Sequence, residues 1–161
     1  MEINTKIDSS FDSLNVYHEE YSWIPNQNQI RPTEMIINFK KILMDKIYKE
    51  YNSTRDYILL NMFHNDGFRS GGKLVAKESL IKLNHFEVCR FRYQIDPKAF
   101  HYIMWYTCSK DELTDEEITK DIKNSISAFI KSDKFSFVWY ENPKMTIEDI
   151  YHVQVFWVKD I

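Results

Sequence analysis

The side chains best suited to chemistry lie in two aromatic segments of the C-terminal half, FHYIMWYT and VWYENPKMTIEDIYHVQVFW. Strand alternation places His101 and Trp105 on one face of the first segment, and His152 and Gln154 on one face of the second. A histidine can transfer protons near neutral pH, and an indole ring can stack on a planar ligand. Because unpaired polar groups are costly to bury, His152 and Gln154 face either solvent or a pocket whose ligand pairs with them.

Other common chemistries leave no signature in the sequence. Gly71-Gly72-Lys73 lacks the glycine spacing and the hydroxyl residue of a phosphate-binding loop. Cys89 and Cys108 are too few for a disulfide framework or a zinc site. The five histidines are scattered, with no pair four residues apart. We therefore predict no metal and no cofactor, and leave open whether the chain is an enzyme.

Composition indicates one folded unit with an unusually aromatic core. The chain has 161 residues, of which 43% are hydrophobic and 16% aromatic, too apolar for a disordered protein. We predict an N-terminal arm over 1–32 and a single domain over 33–161. A net charge of −3 argues against long duplex nucleic acid as a partner. We see no signal peptide or membrane span, which predicts a cytoplasmic protein without membrane contact. The abundance of residues with AT-rich codons suggests a viral or protist source.

Three helices are predicted from apolar spacing and capping residues. Apolar residues recur every three or four positions over 33–51. The sequence Ser53-Thr-Arg-Asp resembles a capping box, which predicts a second helix over 57–63, with a strand as the alternative. Thr114-Asp-Glu-Glu is a stronger capping box and begins a helix that extends to Lys131.

Alternating patterns predict strands, and turn residues predict the connections between them. The strands are expected at 85–95, 100–108, 135–141 and 151–158. Glycine-rich turns predict a loop over 68–73. Because strands and helices segregate in part, the expected fold class is α+β. We expect a curved, mainly antiparallel sheet of four or more strands with two or three helices packed on one face.

The order of these motifs resembles the fungal N-acetylglucosamine-induced protein family, a domain without an established activity. The resemblance covers about 90–158. The chain departs from the family pattern where Gln154 replaces the second histidine of a final H-x-H. An acid–base role for that histidine pair is therefore in doubt, although glutamine still offers a donor and an acceptor. The residues that match the family pattern are Phe91, Tyr93, His101, Trp105, Trp139, Asn142, Pro143 and His152.

The strand–helix–strand order of the C-terminal half is also similar to that of eukaryotic mRNA cap-binding translation initiation factors. Those proteins stack a methylated guanine between two tryptophans and contact its edge with a carboxylate. The resemblance implies stacking by Trp23 with Trp105 or Trp139, and an edge contact from Glu141. The residues that would contact phosphates are Arg69, Lys73, Arg90 and Arg92.

Three functions follow as hypotheses. The first is a small noncatalytic module that binds a purine nucleotide or a capped mRNA end by aromatic stacking, with Trp23, Trp105, Trp139, Glu141, His152 and Gln154 as ligand contacts. The second is a small enzyme acting on a sugar or nucleotide derivative, with His101 or His152 as the acid–base group. The third is an interaction subunit that binds a protein through the 33–51 helix or an aromatic surface.

Overall fold

A computed structural model describes residues 3–7, 21–25, 32–142 and 147–160 of the chain. The three α-helices within these ranges are α1 (Glu34–Glu50), α2 (Thr54–Asn61) and α3 (Asp115–Ile130), and a short 3-10 helix spans Lys110–Glu112. None of the described helices is long and apolar enough to cross a membrane. Together with the sheets described next, they confirm the predicted α+β class.

Seven described strands form one five-stranded and one two-stranded sheet. They are β1 (Asn4–Lys6), β2 (Gly67–Ser70), β3 (Lys73–Ala76), β4 (Asn84–Val88), β5 (Phe100–Tyr106), β6 (Phe135–Tyr140) and β7 (His152–Lys159). The larger sheet has the order β1-β6-β7-β5-β4, and β2 pairs with β3. In the larger sheet only β1 and β6 are parallel. The sheet is therefore mainly antiparallel, as predicted.

Each of the three α-helices begins at a side-chain cap. Thr33 accepts a hydrogen bond from the Ile36 backbone at the start of α1, and Ser53 accepts one from Asp56 at the start of α2. At α3, Thr114 accepts from the Glu117 backbone while the Glu117 side chain accepts in return. These contacts satisfy backbone N–H groups that have no partner within the helix. The two predicted capping boxes thus mark helix starts.

Side chains alternate across the five-stranded sheet and divide its contacts between two faces. On the closed face, Ile118, Ile122 and Ile126 of α3 pack against the strands. The fully buried strand residues of this face are Met104, Tyr106, Phe135, Phe137, Trp139, Val153, Val155 and Trp157. On the open face, α2 packs near Trp105. The helices therefore lie on both faces of the sheet, not on one face as expected.

Two segments differ locally from the predicted strands. The strand expected over 85–95 ends at Val88, and beyond it the Tyr93 backbone N–H donates to the side chain of His101 instead of to a neighbouring strand. The loop expected over 68–73 contains a hairpin whose two-residue turn is formed by Gly71 and Gly72. Both glycines have positive φ, 59° and 83°, as tight hairpin turns require.

Parts of the predicted N-terminal arm pack against the domain. Strand β1 adds an edge to the sheet beside β6. Trp23 and Ile24 lie in a buried cluster with Tyr93 and Phe156 on the open face. These described residues of 1–32 therefore contribute to the core of the domain.

Candidate functional site

A cavity of about 490 Å³ lies between the helices α1 and α2 and the open face of the sheet. Small-molecule sites in proteins usually occupy about 300–1,000 Å³ and are mostly apolar. Helix side chains supply most of the apolar wall, namely Ile37, Leu43, Met44, Ile47, Ile58 and Met62. The cavity thus has the size and the lining of a ligand site.

The inner wall of the cavity is formed by neighbouring strands β5 and β7. In their antiparallel register Trp105 lies opposite His152, and Ile103 lies opposite Gln154. All four residues line the cavity. Trp105, His152 and Gln154 are each at most 5% exposed. The predicted placement of His152 and Gln154 on one strand face beside Trp105 is confirmed, whereas their role in ligand binding stays a prediction.

His101 lies behind Gln154 and uses both of its ring nitrogens. Its Nδ1 accepts from the Tyr93 backbone N–H at 3.2 Å, which places the ring proton on Nε2, and Nε2 donates to Gln154 Oε1 at 2.6 Å. Burial lowers the pKa of His101 to about 4, because an imidazolium is poorly solvated there. At neutral pH His101 is therefore uncharged and holds Gln154 in place. With both nitrogens occupied, it is not positioned to transfer a proton to a ligand.

His152 has one occupied nitrogen. Its Nδ1 lies 2.9 Å from the backbone oxygen of Ile150, so Nδ1 carries the proton and donates. Burial lowers the pKa of His152 as well. In the neutral ring the other nitrogen, Nε2, is a hydrogen-bond acceptor. Within the described ranges no residue donates to it.

Trp105 contributes a ring and an unpaired donor. Its ring centroid lies 4.4 Å from that of His152, with an interplanar angle of 31°. The Nε1 atom is buried and has no hydrogen-bond partner. An unpaired buried donor is unusual in proteins, where most such groups find a partner. Sequence spacing gave no signal for this feature, since it depends on what surrounds the indole.

The amide of Gln154 supplies further donors at the same wall. Its oxygen is taken by His101, so its nitrogen carries the N–H groups that remain. No described residue accepts a hydrogen bond from this nitrogen. The inner wall therefore combines a donor from Gln154 with an acceptor from His152, both uncharged at neutral pH, whereas the indole N–H of Trp105 is buried beside them and does not reach the cavity.

Charged residues lie among the lining residues contributed by α1 and by the segment that follows β4. Arg90 is exposed, lines the cavity and donates to the Tyr57 hydroxyl at 3.2 Å. Lys40 also lines the cavity, and its Nζ lies 5.3 Å from the centre of the Phe91 ring. Burial lowers the pKa of Lys40. No signal in the sequence pointed to Lys40 or Tyr57, because helix spacing indicates a buried face without showing what that face contacts.

Three predicted contacts lie away from this cavity. Trp139 is fully buried on the closed face, where its Nε1 donates to Thr119, because its strand position has the opposite parity to the cavity residues. Glu141 pairs with Lys110 at 2.8 Å and accepts from Tyr151 in a separate groove. Trp23 is only 6% exposed in the core cluster of the open face and is not part of the cavity wall.

Of the four predicted phosphate contacts, the structure places Arg90 alone at the cavity. Arg69 and Lys73 lie exposed on the β2–β3 hairpin. Arg92 donates to the backbone oxygen of Ala99 at 2.9 Å. The hairpin and the irregular segment after β4, neither of which was predicted, account for this separation.

Cys89 also lines the cavity. Burial raises its pKa to about 11, so the group is a thiol at neutral pH and not the nucleophilic thiolate. Its plain interpretation is a small apolar wall residue. Among the described residues, no group of three or more histidine, cysteine or acidic side chains is arranged to hold a metal ion.

Comparisons with known proteins give no family for this chain. No protein-family model matches it, and a search of curated proteins finds no match. A solved structure, that of HTC1, is similar over 96% of this chain and 85% of its own, with a TM-score of 0.45 and 11% identity. A likeness this weak carries no functional information.

Proposed function

We propose that the chain is a noncatalytic module that binds a purine nucleotide in the cavity between α1 and the sheet. The observation that carries the proposal is the inner wall, where hydrogen-bonding groups of His152 and Gln154 with no partner among the described residues line a mainly apolar cavity. Such groups are costly to leave unpaired, and a ligand that pairs with them removes that cost. Trp105 lines the cavity through the small part of its indole that is exposed, where a base can contact it.

Binding is favoured over catalysis by the state of the candidate reactive groups. His101 has both nitrogens in hydrogen bonds, and Cys89 is a protonated thiol. His152 Nε2 is the group on which the enzyme hypothesis now depends. Turnover of a bound nucleotide that is abolished by His152→Phe would support that hypothesis instead.

A free nucleotide is favoured over a capped mRNA end. The cap-binding hypothesis requires two tryptophans at one site, and of the chain's four tryptophans, all within the described ranges, Trp105 is the one in this cavity wall. With one tryptophan at the site, a bound base would depend also on hydrogen bonds to its edge from the cavity wall. Of the cationic side chains that line the cavity, Lys40, Lys41 and Arg90, we propose Arg90 as the phosphate contact, because its guanidinium can form paired hydrogen bonds with a phosphate.

Ligand-dependent stabilisation and tryptophan fluorescence test the proposal. A nucleotide at one hundred times its dissociation constant stabilises a protein by roughly 2.7 kcal/mol. We expect guanosine or adenosine monophosphate to raise the melting temperature and quench fluorescence, and Trp105→Ala to weaken binding by about 1–3 kcal/mol.

Arg90→Ala and Arg69→Ala form a matched pair for the phosphate contact. Both arginines are exposed, but only Arg90 lines the cavity. Arg90→Ala should weaken nucleotide binding about tenfold, as expected for the loss of a charge-assisted hydrogen bond. Arg69→Ala should leave binding unchanged. The proposal is wrong if millimolar purine nucleotides change neither fluorescence nor melting temperature.

A further inference from the structure

Strand β4 forms one edge of the five-stranded sheet, and its outer side pairs with no other strand within the described ranges. We propose that this edge is the contact surface for a second copy of the chain. The two β4 strands pair antiparallel about a two-fold axis and join the two sheets into one. The proposal stands independently of the proposed function, because it depends on the sheet edge and not on a bound nucleotide.

The unpaired backbone groups of the edge follow from the pairing of β4 with β5. The Thr107 N–H donates to the Leu83 backbone oxygen. Six residues further along the same strand pair, the Cys89 N–H donates to the His101 backbone oxygen. In an antiparallel pair, residues bonded to the neighbour alternate with residues whose backbone groups point away from it. With the observed register, the residues that point away are Asn84, Phe86 and Val88.

These three residues present one N–H and one C=O each, which makes six groups along the edge. No described residue forms a backbone hydrogen bond with any of them. A row of unpaired strand groups is a template for pairing with another strand. The edge can therefore extend the sheet by one more strand.

One antiparallel register satisfies all six groups with those of a second copy. It places Phe86 opposite the partner's Phe86, and Asn84 opposite the partner's Val88. Residues with outward groups then meet one another, and each of the three pairs exchanges two hydrogen bonds. Protein interfaces carry roughly ten direct hydrogen bonds, so the six bonds of this edge supply a large share of what a dimer needs.

The remaining side chains of β4 are complementary in the same register. His85 lies opposite the partner's Glu87, and Glu87 lies opposite the partner's His85. Within one chain, Glu87 Oε2 is 3.1 Å from His85 Nε2. Because a carboxylate accepts several hydrogen bonds, Glu87 can pair with both histidines. Registers shifted by two residues lack this match: one places the two Glu87 carboxylates opposite each other, which is destabilising, and the other places Glu87 opposite the partner's Leu83.

Exposed apolar side chains flank the edge. Val88 is 58% exposed, and Ile81 and Leu80, which precede the strand, are 67% and 101% exposed. In the dimer Val88 lies diagonal to the partner's Phe86, within reach of its aromatic ring. Ile81 and Leu80 extend the apolar surface towards the partner's segment that follows Val88. An apolar surface beside a strand edge is typical of an interface between proteins.

The molar mass of the full chain, measured by light scattering from micromolar to millimolar concentration, tests the proposal. We expect the mass to rise from the 19.5 kDa of one chain to twice that value. His85→Glu makes both facing positions acidic, and the double variant His85→Lys, Glu87→Lys makes both basic. Each should stay monomeric where wild type is dimeric, and an equimolar mixture of the two should restore the dimer, since unlike charges then face each other. A wild-type chain that stays monomeric throughout overturns the proposal, as does a dimer that neither variant weakens.

Cross-linking tests the register and decides the question if the charge variants do not fold. Asn84 and Val88 are exposed, and residues at facing positions that exchange hydrogen bonds have Cα atoms about 5.5 Å apart, within disulfide range. Oxidation of an equimolar mixture of Asn84→Cys and Val88→Cys by glutathione disulfide should give a covalent dimer. Either variant alone should give none above the wild-type background from Cys89 and Cys108, because its two copies are offset by four residues, roughly 13 Å. Folded variants whose mixture gives no more cross-linking than either one alone overturn the proposed pairing.

Discussion

The two faces of the five-stranded sheet are formed by the same strands but are packed differently. The closed face is covered by α3, and its indole Trp139 is fully buried with its N–H bonded to Thr119. The open face is covered by α1 and α2, which leave a cavity of about 490 Å³. There the indole of Trp105 borders the cavity with a small exposed part, 4% of the residue, and its buried N–H has no hydrogen-bond partner. A single amphipathic helix has filled one face, whereas two helices at the other leave a space that a ligand can occupy.

The difference shows how one strand can contribute to both a core and a site. In β7, Val153 and Val155 pack under α3, whereas His152 and Gln154 line the cavity. Because successive side chains point to opposite faces, each polar residue of this strand is separated from the closed core by one peptide unit. Polar groups can then be held rigidly at the cavity without weakening the core.

The largest expected effect separates the two indoles. Trp139→Ala should destabilise the protein by about 3–5 kcal/mol, as large core truncations do. Trp105→Ala should cost less, because its indole forms no hydrogen bond that is lost, whereas Trp139→Ala also breaks the bond to Thr119. Urea unfolding of both variants measures the difference. Equal losses would mean that the two faces are packed alike and would contradict the comparison.

The next largest effect is the contribution of His101 to the pH dependence of folding stability. Its pKa is lowered to about 4 in the folded protein, below the value near 6.5 of an unfolded histidine. Between these values the unfolded state binds more protons, so stability is complete above about pH 6.5 and falls as the pH falls towards 4. This contribution is about 3 kcal/mol. The free energy of unfolding of wild type and of His101→Phe is measured at pH 7 and at pH 4. The loss of stability between the two pH values should be about 3 kcal/mol smaller in His101→Phe. An identical pH dependence in both proteins would refute the assignment.

A smaller effect concerns the hydrogen bond that fixes Gln154. Gln154→Leu leaves the buried Nε2–H of His101 without its acceptor, which should cost about 1–3 kcal/mol. Adding His101→Phe should restore part of that loss, because the unpaired group is then removed. On the closed face, Thr119→Val breaks the bond to Trp139 at a half-buried position and should cost less than Gln154→Leu. Thermal unfolding of the three variants, compared with wild type, tests this order.

The smallest effect is at the start of α3. Thr114→Ala removes the side-chain cap and should cost about 1 kcal/mol. Because Thr114 belongs to the helix of the closed face, nucleotide affinity should not change. A melting temperature equal to that of wild type would contradict the capping role, and a loss of nucleotide binding in folded protein would contradict the separation of the two faces.

Much of the local structure could be predicted from the sequence. The caps at Ser53 and Thr114, the α3 stripe and the shared face of His152 and Gln154 all depend on residues close together in the chain. The family resemblance and the nucleotide ligand remain predictions, since no comparison supports or contradicts a family. The hairpin at Gly71 was missed because its strands are short and mostly exposed, so no apolar alternation marked them.

The sequence by itself determined which residues alternate, where helices begin and how the cavity strands present their polar groups, because these properties follow from the local periods of helices and strands. Only the tertiary structure decided that Trp105 lines the cavity while Trp23 and Trp139 lie in packed clusters. It also decided that Arg90 reaches the cavity and that His101 uses both nitrogens on its neighbours. Contacts between elements depend on how their surfaces pack, and spacing along the chain carries no record of that packing.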